Sequence, residues 1–349
     1  MLYNILVLQT QQGTKFSVII PVRAINEFIK EDITHLKQLN YQNFEVLIVT
    51  DAEEQYDFMD SRFFLVDSGK IGPGEKRNLG AQKATGDILA FLDDDAYPSP
   101  NWLTEALNIL NDPQVYALGG PAVTPVNAKF LEKCSGKILE SYLTSAETRY
   151  RHTPALPKEI NDYPSVNLFV RKEAFNKVGG YPIEFWPGED TKLCLDLVKA
   201  YGRPFLYSPK PIVYHHRRNV FIPHLKQISR YGRHRGQFAR IFPETSRLPS
   251  YFAPSAFVLG LFIGPFICVL IPPLRYFYSA FIATYLTLIA LETVKVFKVE
   301  QNLKLALYTG LGIFLTHVVY GLNFIHGLLI RPKLKLRGVD EKSGNYIGG

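Results

Sequence analysis

An open α/β sheet followed by membrane helices is the fold class this chain predicts, and three observations predict it. Up to about residue 215, short β-rich runs alternate with helical patterns, the signature of a layered α/β domain. The runs Ser17-Val-Ile-Ile and Val46-Leu-Ile-Val are continuously apolar, as strands are when helices cover both faces of their sheet. Finally, no charged residue falls between Leu248 and Leu274, and Tyr276–Ala290 and Leu305–Ile330 are also uncharged. A bilayer core asks for ~20 apolar residues per helix, so the last third reads as two to three spans.

The elements follow in order. A strand at Ser17–Pro21 leads to an amphipathic helix at Glu27–Leu39 and a strand at Glu45–Thr50. Phe63–Asp67 is a third strand, Lys76–Thr85 a helix after the glycine-rich Gly69–Gly74, and Asp87–Leu92 the next strand. Between Lys129 and Asp162 the pattern loosens into polar helix-like stretches followed by the Pro154–Pro157 loop, and the region reads as a mobile substrate loop. Order returns with Val166–Arg171, the helix Asp190–Tyr201, and strands at Pro204–Tyr207 and Ile212–His215. The division expected is a catalytic domain over 1–220, a basic interfacial segment over 221–247, membrane helices over 248–331 and a basic tail over 332–349.

Composition narrows the classes. With 349 residues, 47% hydrophobic and 20% charged, the chain is too apolar to be disordered. Cys134, Cys194 and Cys268 lack the paired spacing of a zinc site or a stapled secreted scaffold. The net charge of +7 suits an anionic partner, a nucleotide phosphate or a lipid headgroup. Nucleic acid is not expected, because no interleaved aromatic pattern or recognised nucleic-acid module accompanies Arg230, Arg233 and Arg235. They suit an anionic leaflet instead. Leu2–Leu8 has no preceding basic residue and does not read as a signal peptide.

In open α/β sheets ligands bind beyond the carboxyl ends of the strands. That rule selects Pro21–Arg23, Asp51 and the Asp93-Asp-Asp triplet. Clustered carboxylates there call for a hard divalent cation, Mg²⁺ or Mn²⁺, shared with substrate phosphates; a solvated acidic turn is the other reading. Lys76 and Arg77 open a helix after a glycine-rich loop, a place that favours anions, although a salt-bridged helix start has the same look. Glu189 and Asp190 begin an apolar helix, where an acid also serves as a plain cap. His215 and His216 either touch phosphate or cap the sheet.

Taken in order, these residues resemble the family 2 glycosyltransferases, inverting enzymes of the GT-A fold. The resemblance runs from Ser17 to about Arg240 through Ser17-Val-Ile-Ile-Pro, Val49-Thr-Asp51, Lys76-Arg-Asn-Leu-Gly-Ala, Phe91-Leu-Asp-Asp-Asp, Leu118-Gly-Gly-Pro, Asn167…Arg171 with Val178-Gly-Gly-Tyr, Gly188-Glu-Asp190 and Gln227-Ile-Ser-Arg-Tyr. It implies that Pro21, Arg23 and Asp51 line the nucleotide pocket and that Lys76 and Arg77 approach the diphosphate. By the same resemblance Asp93 and Asp94 meet the sugar, Asp93 and Asp95 hold the metal, Asp190 is the base and Glu189 orients it or the acceptor. Gln227, Arg230 and His216 would meet acceptor or phosphate. The chain departs from the family with Asp51-Ala-Glu-Glu in place of an Asp-Asp-Gly-Ser run, and with Tyr231 where processive members carry Trp. With so few membrane helices, transfer of one sugar to a lipid-linked or membrane-delivered saccharide in cell-surface glycan synthesis is implied; a polyprenyl-phosphate sugar synthase and a non-catalytic nucleotide-binding membrane scaffold are the other readings. The expected setting is the plasma membrane with a cytoplasmic catalytic domain, and self-association through the apolar helices stays open.

The charges conflict on topology. Lys295, Lys298 and Lys304 precede the last apolar stretch and Arg331–Arg337 follows it, so both of its flanks claim the cytoplasmic side. Two true crossings resolve this, and the proline- and glycine-rich Tyr251–Leu274 reads as the stretch that bends or lies in the interface.

Overall fold

The computed structural model describes residues 13–185 and 187–330; Leu2–Leu8, Trp186 and the basic tail lie outside them. The chain forms two compact units. Among the described residues the first comprises 13–123 and 153–215, and the second 124–152 and 216–330.

The elements run β1 (Phe16–Pro21), α1 (Glu27–Lys37), β2 (Phe44–Thr50), β3 (Phe63–Asp67), α2 (Pro73–Lys83), β4 (Ile88–Leu92), β5 (Ala96–Pro98), α3 (Trp102–Leu110), β6 (Ala117–Gly119) and β7 (Ala122–Val123). Two helices of the second unit follow, α4 (Phe130–Glu140) and α5 (Tyr142–Ser145). The first unit then closes with β8 (Lys158–Ile160), β9 (Asn167–Arg171), α6 (Lys172–Lys177), α7 (Glu189–Tyr201), β10 (Phe205–Tyr207) and β11 (Val213–His215).

Every residue of β1, β2 and β4 is buried, which is why these strands read as unbroken apolar runs. The main sheet has the order β3-β2-β1-β4-β9-β6-β10-β8. β1 runs parallel to both β2 and β4, so the strand order reverses between β1 and β4 and opens a crevice at their carboxyl ends. A small sheet, β5-β11-β7, stands beyond that edge. The helix predicted at Lys76 begins three residues earlier, at Pro73, because Gly72 and Glu75 close a capping arrangement in which Glu75 Oε2 accepts the Gly72 N–H at 2.7 Å.

At the opposite edge Glu45 is a buried anchor. It takes Lys15 Nζ at 2.8 Å, Ser17 Oγ at 2.6 Å and the Thr85 hydroxyl at 2.7 Å. Burial alone would raise its carboxyl, but these donors outweigh it and hold it down at about 2. A carboxylate depressed in the folded state adds stability above its unfolded value of ~4.3, and that stability is lost as pH falls toward the folded value. Thermal unfolding followed between pH 5 and pH 2 is therefore expected to show a loss of Tm that Glu45→Gln flattens. At pH 7, Glu45→Ala is expected to cost ~1–3 kcal/mol through its abandoned donors.

The second unit contains α4, α5, α8 (Ile222–Ile241), α9 (Pro243–Ser246), α10 (Pro249–Leu270), α11 (Leu274–Glu300) and α12 (Leu303–Leu329). The polar helix-like stretches after Lys129 form α4 and α5. Cys134 and Ile138 bury against Leu305, Ala306 and Ile313 rather than against a sheet. Among the described residues three helices, α10, α11 and α12, are long and apolar enough to cross a membrane.

Candidate active site

The crevice is built by the loops that follow β1, β2 and β4, together with the starts of α2 and α7. Pro21 ends β1 and is buried, and Arg23 two residues on is exposed. The Arg23 carbonyl accepts the Asp51 N–H at 2.9 Å, pinning the loop after β1 to the loop after β2. Lys76, 3% exposed, donates from Nζ both to the Asp51 carboxylate and to the Val22 carbonyl. Burial pushes its ammonium below the ordinary value, with Asp51 acting the other way. Lys76 is thus committed to tying these loops together.

Arg77, the next residue, joins two acids that are distant in sequence. Its Nη2 donates to Asp93 Oδ1 at 2.6 Å, its Nη1 lies 3.4 Å from Glu189 Oε1, and the guanidinium sits 5.5 Å from the centre of the Tyr181 ring. Burial works against its charge, and Asp93 foremost overcomes that, so the proton is held more tightly than in a free arginine. Its Nε has no hydrogen-bond partner among the described residues. Glu189 opens α7 directly after Gly188, whose φ of +123° only glycine takes without strain. Burial first, and then Asp190, push the Glu189 carboxyl up to about 7, opposed by Arg77. Asp190 is half-buried, and its Oδ1 accepts the Thr191 N–H at 2.7 Å.

The triplet after β4 divides its work. Asp94 is 3.4 Å from Asn26 Nδ2 at the start of α1. Asp93, Asp95 and His215 instead bring one ligand atom each to within 4.8 Å of one another. Asp95 is buried, with Oδ1 3.1 Å from His215 Nε2. β5 and β11 pair antiparallel with Ala96 opposite His215, and this pairing delivers the imidazole. Two carboxylates and an imidazole suit a hard or borderline divalent ion such as Mn²⁺ or Mg²⁺. Asn167 sets this corner: its Oδ1 accepts Trp102 Nε1 at 2.8 Å, and its Nδ2 donates to the carbonyls of Pro121 at 3.1 Å and Pro211 at 2.7 Å, just ahead of β11.

The structure therefore gathers Asp51 with Lys76, Arg77 with Asp93 and Glu189, and Asp93 and Asp95 with His215. His216, Gln227 and Arg230 belong to the second unit. There the His216 Nδ1 meets Glu132 Oε1 at 2.9 Å, Gln227 Nε2 donates to the Tyr231 hydroxyl at 3.0 Å, and Arg230 is exposed on α8. Of the histidine pair, it is His215 that faces the acidic triplet.

A switch-point crevice carrying paired carboxylates, an imidazole and a buried arginine on a mostly parallel sheet is the arrangement of a GT-A domain. Residues 17–179 match the family described as Glycosyl transferase family 2. The chain is 30% identical over 224 residues to the pre-mycofactocin glycosyltransferase of Mycobacterium tuberculosis, covering 62% of this chain and 46% of that protein. It is 28% identical over 186 residues to the glycosyltransferase AglE of Haloferax volcanii, covering 50% and 58%. The chain thus spans about half the length of these curated relatives. A mannosyltransferase from Pyrobaculum calidifontis, solved with GDP-Man and Mn²⁺, shares the fold over 92% of this chain and 94% of its own, with a TM-score of 0.56 at 17% identity.

Proposed function

We propose that the protein is a membrane-anchored, metal-dependent, inverting glycosyltransferase that moves one sugar from a nucleotide-sugar to a hydroxyl of a lipid-linked or membrane-delivered saccharide. The observation that carries the reading is the convergence of Asp93, Asp95 and His215 beside the buried Arg77. In this reading Asp51 meets the base, and Pro21 and Arg23 line the nucleotide. Asp93, Asp95 and His215 hold Mg²⁺ or Mn²⁺, which when bound supplies positive charge to the departing diphosphate. Arg77 keeps Asp93 in place and adds its own fixed charge to that side of the crevice. Asp190 accepts the proton of the acceptor hydroxyl as its oxygen attacks the anomeric carbon. The bond to the diphosphate breaks on the opposite face, so the configuration inverts and no covalent enzyme intermediate forms. Glu189, held by Arg77, orients Asp190. An acid pair at the start of α7 favours a hydroxyl acceptor, because a phosphate acceptor is already ionised and needs no base. Nucleotide-sugars are made in the cytosol, which puts the catalytic domain on the cytoplasmic face of the plasma membrane.

The test is thermal unfolding in a panel of UDP, GDP and CDP ligands with and without Mn²⁺. A ligand bound only by the folded protein stabilises by mass action, ~2.7 kcal/mol at a hundred times its Kd. One base is expected to raise Tm, and only with the metal present. A panel that leaves Tm unchanged would overturn the enzyme reading in favour of a scaffold that kept the fold.

A further inference from the structure

We infer that the bilayer is crossed only by the hairpin of α10 and α11, and that α12 lies along the membrane surface on the side where α11 ends. The inference rests on the second unit alone and is independent of the glycosyl-transfer reading.

α12 is covered along its whole length by helices that carry charge. Over its first half the cover is α4, which bears Glu132, Lys133, Lys137 and Glu140. A Cβ on Gly312 would fall 2.2 Å from Ile138 Cδ1, and the Phe130 and Tyr308 rings meet edge-on at 5.5 Å. His224 bridges Ser135 Oγ at 2.7 Å and Thr316 Oγ1 at 3.0 Å, and His317 Nε2 reaches the Leu143 carbonyl at 2.8 Å.

Over its second half the cover is α8, and there the two backbones touch. A Cβ on Gly232 would lie 2.6 Å from the Tyr320 carbonyl, one on Gly236 2.1 Å from the Phe324 carbonyl, and one on Gly327 2.0 Å from the Arg233 carbonyl. Arg240 Nη1 reaches the Leu328 carbonyl at 3.0 Å. The partners advance together from His224 with Thr316 to Arg240 with Leu328, so the helices run parallel for ~18 Å along α12 at ~1.5 Å per residue. α8 contains no acidic residue, and Lys226, Arg230, Arg233 and Arg240 are all exposed. Four outward cations spread over that distance are not tolerated in hydrocarbon. The stretch of α12 fastened beside them is therefore outside it too.

α10 and α11 cross α12, where Ser255 Oγ donates to the Gly321 carbonyl at 3.1 Å and the Tyr285 hydroxyl meets His317 Nδ1 at 2.8 Å, and are otherwise largely bare. Burial inside the protein reaches 17% and 6% of their apolar windows, against 50% for α12. They pair antiparallel through Phe257 on Tyr285, with ring centres 4.0 Å apart, and through Gly264 against Tyr278. The hairpin leaves the apolar layer near Glu292, which binds Lys295 at 3.1 Å; Lys298 beyond it is exposed, and Glu300 binds Lys133 at 2.6 Å and Lys137 at 2.9 Å. What α12 still exposes is mainly a narrow leucine stripe of Leu303, Leu307, Leu311, Leu322 and Leu329. Such a stripe fits a helix lying in the interface with one apolar face dipped into it. Both basic flanks of α12 then share one side, and the conflict of charges disappears.

Single cysteines at Pro272, Gln301 and Ile330, in full-length protein with Cys268→Ser, test this with a membrane-impermeant thiol reagent in intact and permeabilised cells; Cys134 and Cys194 are buried. Gln301 and Ile330 are expected to react from the same side and Pro272 from the other. Reaction of Ile330 together with Pro272 means three crossings and overturns the inference, as does Pro272 reacting on the side of Gln301. A tryptophan at Leu311 gives an independent reading. It is expected to be quenched by lipids brominated near the headgroup, and quenching only by deeply brominated chains overturns the inference.

Discussion

Asp190→Asn is expected to lower turnover ~10²–10⁴-fold, the range for loss of a general base, while leaving donor affinity and fold unchanged. The substitution separates the two jobs open to this residue. As a cap, Asp190 accepts the Thr191 N–H at 2.7 Å through Oδ1, and an asparagine oxygen accepts the same bond, so the helix start keeps its partner. As a base, it must take a proton from the acceptor, which an amide does not do at neutral pH. The measurement is sugar transfer from the donor selected by the thermal panel into the lipid fraction of membranes carrying the protein, alongside the donor Kd. Wild-type turnover would reduce Asp190 to a cap. Glu189→Gln provides the contrast. The Glu189 carboxyl is already pushed up to about 7 by burial and by Asp190, so a neutral amide resembles its protonated form. It is expected to lower turnover far less and to displace the pH profile rather than abolish activity.

The strand ends were legible in the sequence because two-sided burial leaves an unbroken apolar run, and the residue after such a run is by construction at the edge of the sheet. That reasoning located Asp51 and the Asp93–Asp95 triplet. It singled out His216 and passed over His215, since the choice depends on the antiparallel register of β11 on β5, which pairs residues about 120 positions apart and leaves no local periodicity. Lys76 and Arg77 look alike as cations at a helix start. Burial makes one a tie between loops and the other a clamp on Asp93 and Glu189. The helix-like stretches after Lys129 did not reveal their partner, because Cys134 and Ile138 pack on α12 and an apolar pattern does not name the surface that it covers.

Asp95→Ala is expected to abolish the Mn²⁺ dependence of nucleotide binding while the domain stays folded. Asp93 already shares Oδ1 with Arg77 at 2.6 Å, and a carboxylate engaged by a guanidinium has less charge to give an ion. Asp95, buried and 3.1 Å from His215 Nε2, is therefore the stronger anionic ligand, and its loss leaves an imidazole and a compromised carboxylate. Outer-shell substitutions cost metal affinity ~10–100-fold, so removal of a direct ligand should exceed that range. The pairing of β5 with β11 runs through backbone and does not depend on this side chain, which is why the fold persists. Asp94→Ala is the matched control: its carboxylate lies beside Asn26 at 3.4 Å, and the variant should retain the Mn²⁺ response. Calorimetric titration of Mn²⁺ in the presence of the selected nucleotide reads both variants. Equal affinity in Asp95→Ala and wild type would remove the acidic triplet from the metal site and return it to the plainer role of a solvated turn, whereas loss in Asp95→Ala with retention in Asp94→Ala assigns the ion to the face of β4 that His215 closes.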